Sequence, residues 1–228
     1  MILLAACQQK QPAPKPATLE SALDEILDAS TADAAMPVPI LRQPAKISVS
    51  GPYRHKLTGF IYPATLGDFT RKTVVQYDEA GMDVSASYLA TLPSGKVVAS
   101  VYVYPITSMA PDIHPAYVDA EDTCRSVFED SKKSALQLYA NPFVRETGST
   151  PARLGSTQAG YRVIFDADKR YDIPADDIFT NADGPLSSEL YLYCAIDKYW
   201  HVKYRFTYTR KVDARTVVDD FMAKVPAR

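Results

Sequence analysis

Between Asp83 and Thr91 the chain alternates strictly, with Val84, Ala86, Tyr88 and Ala90 on one side and Asp83, Ser85 and Ser87 on the other. A period of two is the signature of a strand with one buried face. The preceding stretch 71–77 reads as its partner, joined through Asp78-Glu79-Ala80-Gly81, and Gly59–Pro63 as a short strand stopped by proline, followed by a turn at Gly67-Asp68-Phe69. After a turn at Pro93–Lys96 comes 97–104 (VVASVYVY), apolar on both sides and therefore placed centrally in a sheet. Further strands are predicted near 152–156, 160–166, 188–197 and 200–209, the last two reversing at Tyr199-Trp200.

The period changes to three and four in two places. Tyr117, Ala120, Cys124, Val127, Phe128, Ser131, Ala135 and Leu138 form an apolar stripe that predicts a main helix over 115–140. Val217, Val218, Phe221 and Val225 predict a C-terminal helix capped by Asp213. The fold expected is α+β: a mainly antiparallel sheet covered by a long central helix and a C-terminal helix, forming one soluble domain over 57–228.

The first 56 residues read differently. Residues 8–18 (QQKQPAPKPAT) hold three prolines and nothing apolar larger than alanine, so they read as a tether. Leu19, Ala22, Leu23, Ile26 and Leu27 predict a short amphipathic helix over about 18–29, and the prolines of 30–56 an extended connection. Ahead of these, Leu4-Ala5-Ala6-Cys7 resembles the lipobox of bacterial lipoproteins. A secretory signal carries a basic n-region and an apolar run of about 7–15 residues. No Lys or Arg precedes Cys7, so residues 1–7 read as a signal remnant whose start lies upstream. The resemblance implies a lipid on Cys7, and Gln8 after it implies sorting to the outer membrane, facing the periplasm. A cytoplasmic protein with a chance tetrapeptide is the alternative.

Composition narrows the partners. A formal net charge of −2 argues against nucleic acid. With Cys7 acylated, Cys124 and Cys194 remain, either as a disulfide or as two buried thiols; Cys124 lies on the helix stripe and Cys194 shares a strand face with Leu190 and Leu192. No metal-ligand spacing, nucleotide loop or nucleophile elbow is present, so neither cofactor nor metal is expected and no catalytic residue is assigned. His55, His114 and His201 sit in unrelated contexts, and the acidic stretch Asp166–Asp177 fails the calcium-loop template. The segments Leu-Gly-Asp-Phe, Gly-Met-Asp-Val-Ser and Val-Tyr-Val-Tyr-Pro between Gly59 and Pro105 resemble a group of uncharacterised proteobacterial envelope proteins. The element order is similar to the PsbP-type α/β/α sandwich, whose members are mostly assembly and binding factors.

The most specific surface is on the last strand. His201, Lys203, Arg205, Thr207 and Thr209 alternate with Val202, Tyr204, Phe206 and Tyr208, giving a basic, hydroxyl-bearing row opposite an apolar one. That row is expected to be exposed and to be the candidate binding surface. The functional expectation is a non-enzymatic, lipid-anchored envelope protein that binds a protein or another envelope component; a periplasmic hydrolase with a dispersed site is the alternative.

Overall fold

A computed structural model of the chain describes residues 40–105, 120–154, 159–171, 179, 184–196 and 200–225, all within one compact unit, Pro37–Arg228. In chain order these form β1 (Ile40–Ile47), β2 (Tyr53–Arg54), β3 (Ile61–Tyr62), β4 (Thr65–Leu66), β5 (Phe69–Asp78), β6 (Val84–Leu92), β7 (Gly95–Pro105) and α1 (Ala120–Leu136). There follow β8 (Tyr139–Ala140), β9 (Phe143–Thr150), β10 (Gly160–Ala167), β11 (Lys169–Arg170), β12 (Leu186–Ile196), β13 (Trp200–Thr209) and α2 (Arg215–Lys224). The main sheet runs β1-β5-β6-β7-β13-β12-β10-β9, with β4 paired to β5, and every pairing among the described residues is antiparallel.

Alternation builds the two faces. Val84, Ala86, Tyr88 and Ala90 of β6, Val97, Ala99, Val101 and Val103 of β7, and Val202, Tyr204, Phe206 and Tyr208 of β13 all enter one core. On that face lies α2, whose Phe221 ring sits 4.7 Å from Phe69, 5.3 Å from Tyr88 and 5.4 Å from Phe206. Gly95 opens β7 at φ 144°, where a Cβ would come within 2.8 Å of Thr209 Oγ1. The hairpin therefore closes against the end of β13 only because that position has no side chain.

On the opposite face, Cys124, Phe128 and Ala135 of α1 pack with Val163 and Phe165 of β10 and with Leu190, Leu192 and Cys194 of β12. This corrects the expected architecture. The protein is mostly antiparallel β-sheet with two short helices among the described residues, and no long central helix covers it. The reason is geometric: eight strands side by side span roughly 34 Å, whereas one helix with its side chains is about 10 Å wide. Helix α1 seats on β12 and β10 and leaves the β5–β7 half of its face to other groups.

Other expectations shift as well. The strand anticipated near 152–156 lies earlier, at Phe143–Thr150, and its residues are almost all exposed, so no alternation marked it. The sheet takes in Ile40–Ile47, ahead of the expected start near Leu57. Asp213 does not cap α2; Ala214 holds the N-cap position, with no side-chain hydrogen bond. Strand β7 is central, as its sequence indicated. Cys7, the tether, the 18–29 helix, His114, Tyr199 and the second half of the acidic stretch lie outside the described residues.

Cys124 and Cys194 are joined by a disulfide, with Cα atoms 5.8 Å apart and a sequence separation of 70. The bond ties α1 to β12. Replacing both cysteines by alanine is expected to lower stability by about 4 kcal/mol, the chain-entropy value for a loop of that size. Urea unfolding of the double variant measures it, and a loss under about 1 kcal/mol would contradict a structural role for the bridge.

Candidate functional site

The half-covered face holds a groove of about 420 Å³ between α1 and the β5–β6 turn. Its floor is Tyr102 and Tyr104 of β7, Lys203 and Arg205 of β13, and Leu190 of β12. One wall is α1, through Val127, Asp130, Ser131, Ser134 and Ala135, and the other is Tyr77 and Asp83. Register explains the assembly: Lys203 lies opposite Tyr102 on one side and Leu192 on the other, and Arg205 opposite Ser100 and Leu190. The two cations thus stand on the border between the hydroxyl-rich β6–β7 face and the apolar strip beneath α1.

The row on β13 is accordingly not a solvent face. His201 is 1% exposed, Thr207 and Thr209 are each 5% exposed, and Lys203 and Arg205 are half-buried. His201 packs against Tyr104 in a tilted arrangement, with ring centroids 5.2 Å apart. Only Lys203 and Arg205 of the five reach the groove. The expectation of an exposed row failed because period two separates the two faces without saying what covers each.

Lys203 carries the unusual electrostatics. Its ammonium lies 4.6 Å from the Tyr102 ring centroid and 5.3 Å from that of Tyr104, and no carboxylate among the described residues comes within 4.0 Å of it. Burial pushes its pKa down from 10.5, with Asp83 opposing and Arg205 reinforcing that fall. Cation–π contacts offset part of the desolvation. Asp83 is the nearest counter-charge in effect. Burial lifts its carboxyl from 3.8 to about 6, against the pull of Lys203 and with help from Asp78. Its position is set by Asp78, whose Oδ1 accepts the Met82 N–H at 3.0 Å and whose Oδ2 accepts the Asp83 N–H at 2.5 Å. Burial and the neighbouring Tyr102 push Tyr77 up to about 12, while its hydroxyl bonds Ser85 at 3.1 Å.

Arg205 is held from below. Its Nη2 donates to the Tyr139 hydroxyl at 3.1 Å, and that hydroxyl also bonds Thr207 Oγ1 at 2.9 Å. Burial pushes the Tyr139 pKa up, but the Arg205 guanidinium and the surrounding hydrogen bonds outweigh it, so the net shift is downward. Arg205 bonds no carboxylate among the described residues; it lines the groove, with its guanidinium 5.3 Å from the Tyr139 ring centroid.

The rest of the chemistry is absorbed by structure. His55 is fully buried; its Nε2 donates to Met82 O at 3.1 Å and its Nδ1 accepts the Thr58 N–H at 3.2 Å. Burial lowers its pKa. A second groove, of about 400 Å³ beside α2, is lined by Arg145, Arg162, Arg210 and Glu189, with Arg162 paired to Glu146. Arg145 and Arg210 also reach Asp166, outside the lining, at 3.2 and 3.7 Å, as does the Ser187 hydroxyl at 2.6 Å, and Glu189 accepts the Tyr191 and Tyr208 hydroxyls at 2.5 Å each. Asp168, in the acidic stretch, accepts a bond from Asn141 Nδ2 at 2.8 Å. Among the described residues no group of three His, Cys, Asp or Glu is placed to hold a metal ion, and no helix is long and apolar enough to cross a membrane.

Sequence reasoning missed Tyr77, Asp83, Tyr102 and Tyr104 as groove residues. Tyr102 and Tyr104 were legible as one face of β7, but their alignment with Lys203 and His201 is a matter of register, which the sequence does not display.

The raised Asp83 pKa has a direct consequence. Between about pH 4 and 6 the folded state binds more protons than the unfolded one, so stability falls as pH rises through that window. Asp83→Asn is expected to remove that slope, worth about 2 kcal/mol across the window after allowance for partial exposure. Urea midpoints of both proteins at the two ends of the window measure it; parallel pH profiles would contradict the assignment. No family model matches the chain, and no curated protein or solved structure is found to be similar to it.

Proposed function

We propose that this chain is a non-enzymatic binding protein of the bacterial envelope, lipid-anchored through Cys7 at the outer membrane and facing the periplasm, which receives an anionic envelope component in the groove over Lys203 and Arg205. The observation that carries the binding reading is Lys203: a half-buried ammonium, seated on two tyrosine rings, with no carboxylate within 4.0 Å among the described residues. Burying a charge without a close ion pair costs stability, and perturbed charges of this kind cluster at binding and catalytic sites.

The groove favours binding over hydrolysis. No histidine lines it, and neither of its serines, Ser131 and Ser134, is hydrogen-bonded to a carboxylate, a lysine or a histidine among the described residues. His55 is occupied by Met82 and Thr58, far from any such role. The Cys124–Cys194 disulfide supports an oxidising compartment over the cytoplasm. The lipobox-like Leu4-Ala5-Ala6-Cys7 and the polar tether behind it support the anchor.

Expressed in a Gram-negative host behind an upstream start that completes the signal, the protein is expected to incorporate labelled palmitate and to fractionate with outer membranes. Cys7→Ser is expected to abolish both. Equal labelling of that variant, or an unlabelled cytoplasmic product, would overturn the anchored reading.

A further inference from the structure

We infer that the groove over Lys203 and Arg205 binds a compact organic monocarboxylate with a ring-sized apolar body, its carboxylate between the two cations and its body against Tyr77, Tyr102, Val127 and Leu138. The inference deepens the binding-protein reading and rests on it.

Charge sets the anion's valence. Lys203 and Arg205 share the floor, and neither meets a carboxylate within 4.0 Å among the described residues. Asp83 and Asp130 stand on opposite walls. The two cations on the floor and the two acids on the walls leave the groove with no net positive charge, so the floor holds an anion by local contact, and the second charge of a dianion such as a phosphate monoester adds wall repulsion with no further cation to offset it. Arg205 lines the groove and donates from Nη2 to Tyr139, and a guanidinium's fork of donors suits the planar, two-oxygen geometry of a carboxylate.

The walls set the body. Tyr77 and Tyr102 have ring centroids 6.4 Å apart and face the groove with Tyr104, while Val127, Ala135, Leu138 and Leu190 supply aliphatic surface. A volume of about 420 Å³ is at the small end of ligand sites and holds one ring with a short side chain. Partial burial raises the effect of each charge contact, since the local dielectric is below that of water.

The test titrates the full chain with 3-phenylpropionate, with its uncharged isostere 3-phenylpropionamide, and with the tripeptide Ala-Ala-Phe bearing a free carboxylate, reading binding by calorimetry and by NMR shifts at Lys203, Tyr102 and Tyr104. The acid is expected to saturate those shifts and to bind at least tenfold more tightly than the amide. Lys203→Met is expected to weaken the acid at least tenfold and leave the amide unchanged. Ser134→Trp, an exposed wall position whose enlargement fills the groove without entering the core, is expected to weaken both ligands, which guards against a Lys203 variant that does not fold. Equal affinity for acid and amide, the absence of saturable shifts with the acid up to its solubility limit, or binding of the tripeptide without binding of the acid would each overturn the proposal. These outcomes are separate from the anchor: loss of palmitate labelling leaves the ligand result standing, and failure of every probe leaves the anchored protein with a macromolecular partner.

Discussion

An interior strand is covered on both faces, and β13 brings charge to one of them. Flanked by β7 and β12, it contributes Val202, Tyr204, Phe206 and Tyr208 to the core beneath α2, so its other face must present His201, Lys203, Arg205, Thr207 and Thr209 to whatever lies opposite. That face is completed by unlike neighbours. Toward β12 and β10 it meets the apolar strip covered by α1, and toward β6 and β7 it meets Ser85, Ser87, Ser100 and Tyr102. Full coverage by α1 would strand both cations in a dry interior, at a cost of several kcal/mol per ion. Full exposure would open the α1 core. The groove is the compromise between these two demands, with Tyr102 and Tyr104 under the ammonium and Tyr139 under the guanidinium.

The disulfide decides where the helix stops. Cys194 is the last described side chain of β12 and Cys124 lies in the second turn of α1, so the bond fixes the helix over the outer strands rather than over β7. Phe128 extends the attachment by stacking on Tyr161, with ring centroids 5.3 Å apart. The side of α1 that carries Val127, Asp130, Ser131 and Ser134 then becomes a groove wall. Geometry at the groove therefore follows from a crosslink made elsewhere on the same helix, which links stability of the layer to the shape of the site.

Much of this architecture was legible in the sequence because period two is unambiguous where one face is buried. Strands β6, β7, β10 and β13 all lie close to where alternation put them, and the apolar stripe of α1 contains the residues that pack, Cys124, Phe128 and Ala135. Strand β9 was misplaced because an edge strand exposed along nearly its whole length leaves no alternation to read. The reach of α1 was overestimated because periodicity reports which side of a helix is apolar and is silent on how many strands that side covers. At the site, Lys203 and Arg205 were visible as a pair on one face, but Tyr77, Asp83 and Tyr102 joined them only through register and the Asp78 turn. Sequence likewise placed both cysteines on inward faces but left open whether they meet, since facing directions carry no distances.

The central claim is that the Lys203 ammonium is desolvated and lacks a close counter-charge, and its own titration measures this most directly. With lysine side chains isotopically labelled and Lys203 assigned by substitution, NMR follows the ε-methylene and ammonium signals of the full chain as pH rises. The account predicts a midpoint below 10.5, moving lower still in Asp83→Asn, because that carboxylate is what holds it up. A midpoint at or above 10.5, unchanged by the Asp83 substitution, would show a solvated or tightly paired ammonium and would contradict the account.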